Sequence, residues 1–445
     1  MGTRQQDSGH LRRHPADPAT DRRATPARQV LGGTQVGRSI LPLHWGHRAC
    51  RNERHSSVHG ASFKRPSPMI AAVTRAAVFL IGICLCTIST AETLIGLSQS
   101  VDLAVDARIN AYMQDSQIPG VALAVLERGA LRKAATYGLA NVELGAAVTR
   151  QSVFELASVT KQFTGAAVLR LVGEDRIALD APLTRYLENT PEAWSAITIR
   201  QLLVHRAGLA HRFEEKHHDS FLMDYSTENM LASAMHTPMQ SESGTDWSYS
   251  DQGYFLLGLV IEKVTGQTYA QYLTDQFFTP LGMTATRRLE QAAVIPRRVA
   301  GYTLQDGRLE NDRRDWQFGQ MAHFGILSTL DDLIRWDQGL ADGTALPEMA
   351  LQTFFDPLYL FQEDPATESL IGYGYGWWIE QANGVRVAHH SGYTGTVLLR
   401  VLDRGLTVII LTNLDQPSGP GTINIAWDVA QLVDPDLARP QWSED

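Results

Sequence analysis

The chain has 445 residues, 39 Lys and Arg against 48 Asp and Glu, and a formal net charge of −9. The charge is uneven: the first 68 residues carry 12 basic and four acidic residues, whereas the stretch after residue 75 carries 26 basic and 44 acidic ones. So acidic a body is poorly suited to phosphate contact, which argues against a nucleic-acid partner. The three cysteines, Cys50, Cys84 and Cys86, all precede residue 92, which leaves the body without a disulfide, a Cys nucleophile or a Cys zinc site.

Residues 1–68 are rich in Arg, His, Pro, Gly and Ser without apolar periodicity, which reads as a disordered or mis-assigned extension. Met69 opens a short stretch containing Arg75, then an apolar run from Ala76 to Ile88 and a small-residue end at Ser89-Thr90-Ala91. This is the pattern of a secretory signal peptide over 69–91. The expected location is therefore the periplasm or the exterior after cleavage near Ala91, with membrane contact only if the segment stays uncleaved.

The body, 92–437, starts with helical spacing over 100–117, broken at Pro119-Gly120. Apolar strands follow at 121–126 and 131–137 around the turn Glu127-Arg128-Gly129. The run Ser158-Val-Thr-Lys161-Gln-Phe163 begins a helix that places Ser158 and Lys161 on one face, with Ser158 in its first turn. A serine hydroxyl needs a neighbouring base or cation to become a nucleophile. The chain has 34 Arg and only five Lys, so a Lys at 161 points to a site needing a compact or titratable cation, which Arg is not. The spacing predicts a helix over 197–209 closed by Gly208, with His205 structural. The polar stretch 211–219 reads as a loop without metal-ligand spacing. Ser248-Tyr249-Ser250-Asp251 leads into a helix, Tyr254 to Thr265, ended by Gly266. Residues 269–278 continue helically, and Ser328-Thr329 caps another helix. The last third reads as strands at 373–379, 385–389, 396–402 and 406–412, an antiparallel meander to which the two early strands should be joined. The pair Trp377-Trp378 reads as core and cleft wall. The tail 438–445 is unassigned.

Three separated elements stand in order: Ser158-x-x-Lys161, Tyr249-Ser250-Asp251 and His390-Ser391-Gly392. With Pro119-Gly120, Leu202-Leu203-Val204-His205, Gly374-Tyr375-Gly376 and Leu411-Thr412-Asn413 they resemble the class C β-lactamase family over about 100–435, including its D-Ala-D-Ala carboxypeptidase and esterase relatives. The resemblance implies an α/β (α+β) fold. An antiparallel sheet, from about 100–155 and 300–437, would be flanked by helices, and a mainly helical part, about 156–299, would be inserted between. It makes Ser158 the acylated nucleophile, Lys161 and Tyr249 the proton-handling pair, and the backbone N–H groups of Ser158 and Tyr393 the oxyanion hole. Asp251, His390 and Gly392 would face substrate, which would be a short ester, a D-amino-acid peptide or a β-lactam; no cofactor and no metal are implied. His390 stands where β-lactamases carry Lys, and a histidine is only fractionally charged near neutrality. That shifts the expectation toward esterase and peptidase relatives. Asp251 stands where Asn is common and would hold Lys161 protonated, leaving Tyr249 as the base. The alternative is a catalytically silent penicillin-recognising protein on the same scaffold. A Gly-x-Ser-x-Gly elbow, which an α/β-hydrolase would need, does not occur.

Overall fold

The computed structural model describes residues 96–211, 213, 226–290, 293–312, 322–365, 367–415 and 421–439. The expected extension, signal peptide and C-terminal tail beyond 439 lie outside the described residues, as does most of the 211–219 loop.

In chain order the elements are α1 (Gln99–Asp115), β1 (Gly120–Glu127), β2 (Ala130–Asn141), β3 (Ala146–Ala147), β4 (Phe154–Glu155), α2 (Thr160–Gly173), α3 (Ile199–Leu203) and α4 (Thr227–His236). Then come α5 (Asp251–Thr265), α6 (Tyr269–Leu273), β5 (Arg287–Arg288), β6 (Tyr302–Gln305), β7 (Arg308–Asn311), β8 (Ile326–Ser328), α7 (Leu330–Asp342) and α8 (Glu348–Phe354). The chain closes with β9 (Tyr359–Asp364), β10 (Ser369–Gly374), β11 (Trp377–Ala382), β12 (Val385–Ser391), β13 (Val397–Val401), β14 (Leu406–Thr412) and α9 (Thr422–Val433).

Nine strands form one sheet in the order β3-β2-β1-β14-β13-β12-β11-β10-β9. Every neighbouring pair in it is antiparallel. The early strands thus join the late meander through β1 and β14, with Leu123 opposite Ile410. Both faces of β1 are covered, which explains its unbroken apolar sequence. Val121, Leu123 and Val125 pack with Ile109 and Tyr112 of α1 and Ile425 and Trp427 of α9. Ala122, Ala124 and Leu126 face the opposite core, which holds Phe163 of α2 and Trp336 of α7. Segments α2 to α6 make the inserted helical part.

Two sequence expectations change. The run 373–379 is two strands, because Tyr375 (φ 48°) and Gly376 (φ 83°) turn the chain between β10 and β11. Gly376 is required there: a Cβ would lie 2.3 Å from the Lys161 carbonyl oxygen, so this turn packs directly on the first turn of α2. The helix expected over 197–209 stops at Leu203, because His205 takes a left-handed conformation (φ 58°) and leaves the helix axis. Strand β9 had no sequence expectation.

Candidate active site

Ser158 lies in a 3₁₀ turn, Ala157–Val159, just ahead of α2 rather than inside its first turn. The preceding residue, Ala157, has φ 48°, a costly conformation for a residue with a Cβ. The surrounding structure holds that turn in place. Thr394 and Thr396, in the connection from β12 to β13, donate their hydroxyls to the carbonyls of Glu155 (2.8 Å) and Leu156 (2.9 Å). Gly392 packs onto the same backbone, where a Cβ would meet Leu156 O at 2.5 Å and Thr396 Oγ1 at 2.3 Å. The close approach that needs glycine at 392 is therefore to the nucleophile's own turn. Strand β12 ends at Ser391, so Gly392 and Tyr393 lie in the turn to β13 and not on the strand.

Lys161 is fully buried and its Nζ reaches three acceptors: Ser158 Oγ at 3.2 Å, Asp251 Oδ1 at 2.7 Å and the His323 carbonyl at 2.8 Å. Those three acceptors match the three donors of an ammonium. Tyr249 donates its hydroxyl to Ser158 Oγ from the other side at 2.9 Å. It arrives on the segment before α5, whose N-cap Ser250 accepts from the Gly253 N–H at 3.1 Å. Asp251 begins that helix. Residues 91 and 93 positions downstream of Ser158 and far from it in sequence thus converge on its oxygen or on its partner Lys161.

The electrostatics separate the roles. Burial works to raise the Asp251 carboxyl, but the charges of Lys161, His323 and His211 outweigh it and hold it below its ordinary value. Burial lowers the Lys161 ammonium, and the opposing Asp251 charge does not fully restore it. Lys161 is therefore easier to deprotonate than a free lysine. Burial, and then the Asp251 charge, push the Tyr249 phenol well above its ordinary value. Burial and the carboxylate at 251 both disfavour an anion at 249, which weighs against the expectation of Tyr249 as the base. Lys161 Nζ also sits over the Tyr249 ring, 4.7 Å from its centroid, instead of bonding the phenol oxygen.

His390 is buried, and both ring nitrogens are engaged. Nδ1 donates to the Ser391 carbonyl at 2.7 Å, which makes Nε2 the acceptor from Tyr373 OH at 3.0 Å. Burial, and then Lys161, push it down to about 3, so the ring is neutral. His389 points to the other face and meets Glu380 at 3.0 Å, as strand alternation requires. His205 accepts the Ser250 N–H on Nδ1 at 3.0 Å, and its ring stacks among Tyr249, Tyr254 and Tyr373. It is a spacer that fixes Tyr249, in keeping with a structural reading. The two tryptophans divide: Trp377 is core, packed on Phe354 and Phe355, whereas Trp378 joins Trp247, Phe361 and Tyr373 in an aromatic wall beside the Tyr249 segment. Sequence reasoning missed His323, whose contribution is a main-chain carbonyl without a residue signature, and Tyr373, hidden in a strand-like run. Among the described residues no cluster of His, Cys, Asp or Glu is placed to hold a metal ion.

A family model described as Beta-lactamase matches residues 105–431. Penicillin-binding protein 4* of Bacillus subtilis (strain 168) is 26% identical over 325 residues, 67% of this chain and 69% of its own length. Penicillin-binding protein 4 of Amycolatopsis lactamdurans is 28% identical over 322 residues, 69% of this chain and 84% of its own. Among solved structures, an octameric penicillin-binding protein homologue from Pyrococcus abyssi superposes with a TM-score of 0.64 at 24% identity, covering 74% of this chain and 77% of that one. EstCE1, a hydrolase with promiscuous acyltransferase activity, gives 0.63 at 20% identity, covering 75% and 98%. These two likenesses concern the fold.

Proposed function

The chain belongs to the Beta-lactamase family, a scaffold of serine hydrolases, and we propose that it is an exported hydrolase that acylates Ser158 with short, uncharged esters. The observation that carries this reading is one oxygen held between two proton-handling groups: Ser158 Oγ lies 3.2 Å from Lys161 Nζ and 2.9 Å from Tyr249 OH.

In the proposed reaction Lys161, as the free amine, takes the Ser158 proton while Oγ bonds to the ester carbonyl carbon. The carbonyl oxygen becomes an oxyanion on the N–H groups of Ser158 and Tyr393. Lys161 then relays that proton to the departing alkoxide as the ester C–O bond breaks, while Tyr249 stays a neutral phenol hydrogen-bonded to Oγ from the other side. Water adds to the acyl-serine by the same relay in reverse, and the carboxylic acid leaves.

The substrate class follows from what His390 lacks. A β-lactam or a peptide terminus brings a carboxylate that a permanent cation at this position would attract. His390 is neutral and already bonded to Tyr373 and Ser391, which favours uncharged esters first and peptides second. The aromatic wall of Trp247, Trp378 and Phe361 suits an apolar acyl or alcohol group.

Paired rates on a nitrophenyl ester and a chromogenic cephalosporin test the assignment. The ester should turn over with the higher kcat/KM, and a faster cephalosporin would overturn the substrate choice. Acylation of Ser158 without release from either compound would instead establish the silent penicillin-recognising reading.

A further inference from the structure

The body of the chain is acidic, yet five arginines gather at the end of the sheet opposite Ser158. Arg386 is the second residue of β12 and His390 stands four residues on, about 13 Å along the strand. Likewise Thr396, just before β13, bonds the nucleophile's turn, whereas Arg400 and Leu402 lie toward the far end. Two hollows meet there, of about 470 Å3 and 610 Å3, and both are lined by Arg128 and Gly129 of the β1–β2 turn. The first adds Arg386 and Arg400, and the second adds Arg150 and Arg335.

Four of these guanidiniums are held by carboxylates. Arg150 pairs with Asp331 at 2.5 Å, Arg335 with Asp332 at 3.1 Å, Arg386 with Asp356 at 2.9 Å, and Arg400 with Asp337. Arg128 differs: it is exposed, and its guanidinium has no hydrogen bond or ion pair among the described residues. Its backbone is pinned, since its N–H donates to the Gly405 carbonyl at 2.6 Å and φ is 50°, followed by Gly129 at 75°. Such a turn takes Gly or Asn more cheaply at the Arg128 position. The first hollow also has an apolar side, built from Leu340, Leu351, Phe355 and Leu402.

We propose that this hollow is an accessory binding site for a small amphipathic anion, a carboxylate or phosphate monoester on an apolar body. Arg128, the one of the five without a carboxylate partner among the described residues, receives the anionic head beside the Arg386–Asp356 and Arg400–Asp337 pairs, and the leucines and Phe355 take the body. A volume of 470 Å3 is within the range of small-molecule sites. The inference does not depend on the reading of Ser158.

Calorimetric titration with octanoate, and separately with 1-octanol, tests it. Octanoate should bind saturably to one site and at least tenfold more tightly than octanol. Arg128→Gly, which suits the positive φ, should weaken octanoate at least tenfold without changing ester hydrolysis. Gln352→Glu, an exposed substitution at the rim, should weaken it as well. Absence of saturable binding, equal affinity for octanol, or unchanged affinity in either variant would overturn the proposal.

Discussion

At the scale of single residues, the site divides proton work by desolvation and by one carboxylate. Lys161 has its ammonium destabilised by burial, and Tyr249 has its phenolate destabilised by burial and by Asp251. Lys161→Arg keeps the charge and forfeits the removable proton. We expect kcat on an ester to fall by roughly 10²–10⁴, the usual worth of a general base, measured on variant protein with an unchanged fold by circular dichroism. Asp251 acts on the pH profile. Its charge favours the protonated amine, so Asp251→Asn should lower the Lys161 pKa further. The acidic limb of the kcat/KM profile should then move to lower pH, by roughly one unit or more. An unmoved limb would show that Asp251 does not set the base.

At the scale of elements, the nucleophile is positioned by a turn clamped from outside. The β12–β13 connection reaches the backbone ahead of Ser158 through Thr394, Thr396 and Gly392, while the β10–β11 turn presses on Lys161 through Gly376. Gly392→Ala would put a methyl group 2.5 Å from the Leu156 carbonyl oxygen. We expect about 1–3 kcal/mol lost in denaturant unfolding, together with a loss of activity larger than that of an exposed Gly→Ala change elsewhere. Wild-type stability in this variant would mean the turn yields easily. Much of this element plan is legible in the sequence: the spacing of Ser158 and Lys161 brings their side chains together, although Ser158 sits in the turn ahead of α2, and the late strands show as apolar runs. The helix boundary near His205 is not legible, because a tertiary bond from the Ser250 N–H and three tyrosine rings decide where the chain leaves the axis. The division of 373–379 is equally hidden, since Tyr375 gives no hint of a positive φ. The state of His390 is set by burial and by Tyr373, neither of which its local sequence displays.

At the scale of the whole molecule, the two buried neutral imidazoles, His205 and His390, tie stability to pH. Both are held below the value they regain on unfolding, His390 at about 3 and His205 well below its ordinary one. The unfolded chain therefore binds more protons once the pH drops below about 6.5, and stability must fall with decreasing pH from there toward 3. Each imidazole contributes a slope of up to about 1.4 kcal/mol per pH unit. Urea midpoints at pH 7 and 5 should show the loss, and His390→Asn should flatten the dependence. The fold brings Tyr249, 91 residues downstream, to the oxygen that Ser158 shares with Lys161, and the reactivity of that oxygen is the claim on which the rest depends. The most direct measurement is peptide mass spectrometry after exposure to a fluorophosphonate. The adduct should fall on Ser158 in the unaltered protein and be nearly absent in Lys161→Arg and Tyr249→Phe. An adduct elsewhere, or equal labelling of Ser158 in both variants, would contradict the assignment of Lys161 and Tyr249 as its activators.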